Sequence, residues 1–284
     1  MRSLMTAILL ATTCAVVYGT ADFFGGLATR RSRVLAVVFL TQVTGLVCVL
    51  PLLPLLPGAP SVAGLAWGMA AGLAGGAAVI LFYRALADGV MSVVAPTTAT
   101  TSAVLPVAAG LVMGERPEPL ALGGVALALL AVLLVSRATG GEETGRAGLG
   151  TVLRALASGA GFGAFFVLLK HVPADAGLWP LAGARFMSAV LVLVLALALR
   201  RTLRPGGGGG MPAIMTAGVL DMAANVLFLL ASQRGMLVLV SVLASLYPAS
   251  TLLLARFVLG ERLNMVQTAG VGLALGAVAL IAGA

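Results

Sequence analysis

The chain has 284 residues, 61% of them apolar and 9% charged, with a mean hydropathy of +1.13. Soluble domains carry about 45–50% apolar and about 25% charged residues, so a water-soluble domain is excluded and an integral membrane protein is implied. The 17 Lys+Arg against 9 Asp+Glu give a net charge of +8, but the cations are sparse and lie between long apolar runs, which excludes a nucleic-acid-binding patch.

Residues 1–17 have the charge and apolarity of a signal peptide, but the apolar stretch runs on through Phe23 and Phe24 to Leu27 with no cleavage site. It is read as a retained first span. Cys14 is a poor lipid-attachment site because Thr13 precedes it and the run continues. Apolar runs then follow one another, separated by Arg, Gly or Pro. They cover residues 4–28, 34–56, 61–83, 90–113, 118–136, 148–169, 177–199, 212–232, 236–259 and 264–283. Each reaches the roughly 20 residues that a spanning helix needs. None alternates polar with apolar as barrel strands do. The expected fold is therefore an all-α integral membrane protein with ten transmembrane helices. The short connections predict antiparallel neighbours in contact.

Small residues mark where such helices touch, because lipid supplies no hydrophobic force and close backbone approach does the packing. Gly68, Gly72 and Gly76 form two overlapping G-x-x-x-G steps, and Gly159/Gly163 and Gly272/Gly276 repeat the spacing. All three are read as packing faces.

An internal repeat divides the chain. At an offset of 146, Phe82-x-x-Ala85-x-x-x-Gly89 falls on Phe228-x-x-Ala231-x-x-x-Gly235, and Gly114-Glu115-Arg116 falls on Gly260-Glu261-Arg262. Between Phe82 and Leu134 there are 18 identities without a gap. The first spans of each half match weakly, with Gly19 near Gly163 the best anchor. Five spans per half is an odd number, so the halves have opposite orientation. Inverted repeats are the mark of secondary transporters, with the site between the repeats near the bilayer midplane. The expected division is a first five-helix repeat over 1–138, a polar linker over 139–147 that includes Thr139–Arg146, and a second repeat over 148–284. The glycine stretch between Pro205 and Met211 is read as a flexible tether. It lacks the strand, helix and Lys-Ser/Thr of a phosphate loop, so no nucleotide cofactor is expected.

Ten spans as five plus five, with Gly-Glu-Arg closing spans four and nine, resemble the EamA-type transporters of the drug/metabolite transporter superfamily. Tyr18-Gly19-x-x-Asp22-Phe23 resembles that family's aromatic-Gly entry motif, and Ala184-Arg185-Phe186 its arginine-containing segment. Pro248 resembles the proline that interrupts span nine; the first half has Ser102 there and Pro106 further on. The resemblance implies a multi-pass protein of a bacterial plasma membrane that exports or exchanges small metabolites such as amino acids or drug-like compounds, in some members coupled to protons. It also implies both termini inside. The positive-inside rule points the other way, since ten cations fall on the face of Arg30, Arg200 and Arg262 and four on that of Arg116 and Lys170.

Ionisable groups within a span are costly and face a partner or water. Asp221, with Asn225 one turn later, lies in span eight; Asp22, one turn after Tyr18, lies in span one; Arg185 lies in span seven. A lone carboxylate in a wet cleft exchanges protons near neutral pH, whereas one paired with a cation does not. Asp221 is thus either a proton or substrate site or an ion pair with Arg185, and Arg185 either a clamp for a substrate carboxylate or that partner. Gln42, Trp67, Gln233 and Tyr247 complete the candidate substrate and ion pathway. The Thr97–Ser102 cluster is expected to bond back to its own helix. Glu115 and Glu261 are read as interfacial pairs with the adjacent Arg116 and Arg262. With His171 alone in a loop and no Cys/His clustering, neither a metal site nor a catalytic constellation is expected, which sets an intramembrane enzyme below a transporter. A lipid-carrier flippase on the same fold remains the alternative, as membrane lipid is the other partner. Oligomeric state is not legible.

Overall fold

The computed structural model describes residues 2–29, 32–88, 91–135, 149–205, 210–260 and 263–284. The linker Thr139–Arg146, the tether glycines 206–209, and Glu261 and Arg262 lie outside the described residues. The elements are helices throughout: α1 (Arg2–Thr29), α2 (Val34–Val49), α3 (Val62–Asp88), α4 (Met91–Val112), α5 (Pro119–Val135), α6 (Leu149–Lys170), α7 (Trp179–Ala198), α8 (Gly210–Ser232), α9 (Leu237–Ala244), α10 (Tyr247–Leu259) and α11 (Met265–Ala282). Among the described residues, eight stretches are long and apolar enough to cross a bilayer by length and composition, and the apolar parts of α4 and α5 are shorter. Exposed Leu9, Val47, Val194, Phe257 and Leu275 form the kind of surface that lipid covers.

Two spans depart from their expected length. Span two stops at Val49 and continues only as a 3₁₀ turn, Leu50–Leu52, because Pro51 and Pro54 cannot donate to a helical ladder. Span nine is broken. The helix stops after Ala244 and restarts at Tyr247 with Pro248 in its first turn, where a missing N–H costs nothing. α4 has Ser102 at that position and runs unbroken through Pro106. Each repeat closes its fourth span with a left-handed glycine, Gly114 at φ 91° and Gly260 at φ 70°. α11 then starts on a capping box between Asn264 and Gln267.

Helices adjacent in sequence are not the main neighbours. α1 packs on α8 and α10, α3 on α6 and α7, α2 on α8 and α7, α4 on α6 and α9, and α5 on α11. The repeats interlock, and nearly every large contact joins one half to the other. The contacts come in symmetry-related pairs. The Cys14 thiol donates to the Ala224 carbonyl at 3.2 Å, and the Ser158 hydroxyl to the Ala78 carbonyl at 2.8 Å. Those positions are 144 apart on α1 and α6 and 146 apart on α3 and α8. Likewise Gly124 abuts Ile281, and Gly270 abuts Val135 at the same offset of 146. A pseudo-two-fold axis therefore relates the α1–α8–α10 bundle to the α6–α3–α4 bundle.

The glycine stripes behave unequally. Cβ atoms on Gly68, Gly72 and Gly76 would meet Pro180, Ala184 and Ser188 on successive turns of α7, and Gly159 and Gly163 meet α4. Gly272 faces open space and Gly276 only the tip of Leu127, so the third pair is not a close-packing face; Gly270 takes that role.

Candidate polar site on the pseudo-two-fold axis

The polar centre is built on a bond between the middle of α2 and the second turn of α7. Arg185 Nη1 donates to Gln42 Oε1 at 2.6 Å. These residues stand 143 apart, the offset that also relates Thr41 to Ala184 where Gly218 and Gly72 press on their carbonyls. Gln42 and Arg185 are thus symmetry mates bonded across the axis. Gly45, one turn beyond Gln42, leaves room for the guanidinium: a Cβ there would stand 3.3 Å from Arg185 Nε.

The same nitrogen meets Asp221 Oδ2 at 2.5 Å. Of the two readings of Asp221, the structure realises the ion pair. Arg185 is 7% exposed, so the carboxylate offsets a charge that would otherwise be costly to bury. The Asp221 side chain is 32% exposed, so the acid stands in front of the guanidinium. Asn225 Nδ2 donates to the Asp221 carbonyl at 2.7 Å. Its Oδ1, together with Arg185 Nη2 and Ser188 Oγ, is buried without a hydrogen-bond partner.

Asp22 is exposed and forms no ion pair among the described residues. It lies one turn past Gly19, where α1 touches α10: a Cβ on Gly19 would stand 2.5 Å from the Tyr247 carbonyl. The Thr251 hydroxyl donates to the Gly19 carbonyl at 3.0 Å. Asp22 is within electrostatic reach of Asp221, Tyr18 and Tyr247. The Tyr18 ring lies 6.4 Å from both Tyr247 and Phe166, and Phe166 lies 4.4 Å from Phe228. Tyr18, Asp22, Gln42, Arg185, Asp221, Asn225 and Tyr247 are therefore brought together. Trp67 and Gln233 are not. Trp67 stacks on His171 at 4.9 Å, at the end of α6, and Gln233 is exposed just past α8.

At that end of the molecule the chain ties itself across the repeats. Glu115 does not turn to Arg116. Its two oxygens accept from the Leu237 and Val238 amides at 2.6 and 2.8 Å and so cap α9, where helix dipole and orphan N–H groups favour an anion. Lys170, 4.0 Å from Glu115, donates to the Ser232 and Gly235 carbonyls at 2.6 and 2.8 Å. The Ala59 amide donates to the Asp175 carbonyl at 3.1 Å, and Gly58 and Gly177 are in contact. The ends of α4, α6 and α8 and the loops before α3 and α7 are thus joined on the Lys170 face. Sequence reasoning missed the Glu115 cap, the Lys170 tie and Ser188. The offset of 143 shared by Gln42–Arg185 and Thr41–Ala184, beside the 146 of Gly72–Gly218, is the signal for the axis.

The family described as EamA-like transporter family matches residues 5–137 and again residues 149–283. The chain belongs to that family. It is an all-helical, multi-pass membrane protein made of two inverted repeats. No curated protein matches the chain. One solved structure, described only as a crystal structure of protein, superposes with a TM-score of 0.79 over 97% of both chains at 19% identity, and so speaks for the fold alone. Among the described residues no group of three or more His, Cys, Asp or Glu is disposed to hold a metal ion.

Proposed function

We propose that this protein is a secondary transporter that exports or exchanges small metabolites, such as amino acids or drug-like compounds, by alternating access, and that Asp22 carries the coupling proton. The family supports transport of small molecules across a membrane. The observation that carries the finer reading is the unpaired Asp22 carboxylate beside an ion-paired, hydrogen-bonded centre on the axis between interlocked repeats. Sites of secondary transporters occupy such positions. Buried polar atoms without partners cost about 1–3 kcal/mol each, and Arg185 Nη2, Asn225 Oδ1 and Ser188 Oγ concentrate that cost where the bundles meet. A second arrangement of the bundles, or a substrate, relieves it.

The moving bodies in this reading are not the two halves of the sequence, since those interlock. They are the α1–α2–α8 group and its mate α6–α7–α3, hinged at Gln42–Arg185. The ties through Glu115, Lys170 and Asp175 support a conformation closed on the Lys170 face. The test is accumulation of a panel of labelled amino acids and amphipathic solutes in vesicles holding the purified protein, with an acidic interior. The proposal expects uptake of at least one solute that stops in Asp22→Asn. Uptake that persists unchanged in Asp22→Asn removes the proton role, and a folded protein that moves nothing in the panel counts against transport of these classes.

A further inference from the structure

Helices α6 and α8 belong to different moving groups, yet two contacts join them toward the Lys170 face. The Lys170 ammonium donates to the Ser232 and Gly235 carbonyls at 2.6 and 2.8 Å. These carbonyls lie at the end of α8 and just past it, where orphan acceptors and the helix dipole favour a cation. One turn deeper, the Phe166 and Phe228 rings stand 4.4 Å apart, and both are buried. Asp221, Asn225, Phe228 and Ser232 follow one another at steps of four, three and four residues, so they share one face of α8. Along that helix the ring pair and then the lysine tie separate the polar centre from the Lys170 face. Glu115 holds the turn that follows, through the Leu237 and Val238 amides.

The opposite face is not built alike. By the offset of 144 that relates α6 to α1, the mate of Lys170 is Gly26 and that of Phe166 is Asp22. Glycine has no side chain to reach a carbonyl, and a Cβ on Gly26 would meet nothing within 4 Å. A carboxylate where the phenyl ring stands makes no apolar plug. Phe228 keeps an aromatic mate in Phe82, and Glu115 has a sequence mate in Glu261. The lysine and its neighbouring ring have none.

Resting on the alternating-access reading above, we infer that Lys170 and Phe166 form a latch on α8 that makes closure on the Lys170 face the resting conformation, and that closure on the opposite face has no such latch. Hydrogen bonds from an ammonium are among the strong ones. A bond made in only one of two conformations shifts their populations by its differential free energy. Lys170 is a positioning residue: it acts by holding α8 against α6. The inverted repeat supplies two closures of one design, and Lys170 with Phe166 makes them unequal.

The test is the rate at which a charged, membrane-impermeant maleimide labels the full-length protein carrying Ser232→Cys, read peptide by peptide by mass spectrometry. Ser232 is fully buried beneath the tie. Labelling at position 232 is expected to be slow while Lys170 is present. It is expected to be at least tenfold faster in Lys170→Met, which keeps the apolar stem and loses the ammonium, and slow again in Lys170→Arg, which keeps a cation. Cys14, buried and bonded to the Ala224 carbonyl inside the α1–α8 pair, is the internal control and should label slowly throughout. An unchanged rate at position 232 in Lys170→Met overturns the latch. A rise at Cys14 as large as that at position 232 also overturns it, because it reports loosening within one group rather than motion between two. Labelling that follows the lysine in a protein that accumulates no solute in vesicles keeps the latch and breaks the transporter reading.

Discussion

The two bundles related by the pseudo-two-fold axis share a scaffold and differ in charge. On one side stand Tyr18 and Asp22 of α1, Asp221 and Asn225 of α8, and Tyr247 of α10. Their mates, by the offsets of 144 and 146, are Phe162, Phe166, Gly75, Val79 and Thr101. Where Asp221 meets Arg185, its mate Gly75 faces the Phe165 ring, 3.2 Å from where a Cβ would be. The packing bonds are nonetheless kept, Cys14 to Ala224 matching Ser158 to Ala78. Helix packing in such a repeat needs small residues and backbone acceptors at fixed positions. Charge is free to differ, so a single working site can sit on one side of a symmetric frame.

The largest expected effect comes from leaving the charged bundle unbalanced. Asp221→Leu strands the buried Arg185 guanidinium in the protein, and removal of one partner of a buried pair costs about 3–5 kcal/mol. A steep fall in the detergent melting temperature is expected, with much of it recovered in Arg185→Leu/Asp221→Leu. A single variant that melts with the wild type would break the pairing argument. Next comes the converse experiment, Gly75→Asp, which plants the acid at the mate position. No arginine waits there and Phe165 fills the space, so a loss of about 2.5–3.5 kcal/mol is expected from the cost of an intramembrane charge. An unchanged melting temperature would mean the apolar bundle is wet.

The shared scaffold is tested by adding one methyl to each bundle. Gly72→Ala presses on the Ala184 carbonyl and Gly218→Ala on the Thr41 carbonyl, so both should lose about 1–3 kcal/mol, while Gly272→Ala, which meets nothing, should not. A melting-temperature difference between the first two larger than that between either and wild type would contradict equivalence. The smallest effect is expected at Glu115→Gln, which weakens the cap on α9 by about 1 kcal/mol. Faster hydrogen exchange at the Leu237 and Val238 amides is the readout.

Much of this was legible in the residues themselves. Apolar runs set the ten spans, and 18 identities at an offset of 146 set the inversion of spans three to five against eight to ten. The other offsets were hidden, because α1 and α6 share little beyond Gly19 and Gly163, and lipid-facing and buried positions are equally apolar. For the same reason the helix partners could not be read. Short loops suggested that neighbours in sequence touch, yet the repeats exchange partners. The Arg185–Asp221 pair is one of two readings, since Asp221 lies at the centre of span eight and Arg185 in the first half of span seven. Glu115 was misread because Arg116 stands next to it, while its true partners, the amides of α9, are more than 120 residues away. Trp67 and Gln233 are polar residues at apolar spans, and nothing in their spacing tells which face of the helix looks inward.

Proton flux in vesicles tests the central claim most directly. With the purified protein reconstituted around a trapped pH indicator, addition outside of a solute that the protein accumulates should release protons from the interior in wild type and in Asp22→Glu, and not in Asp22→Asn. Equal proton release from Asp22→Asn and wild type would contradict a coupling site at that carboxylate.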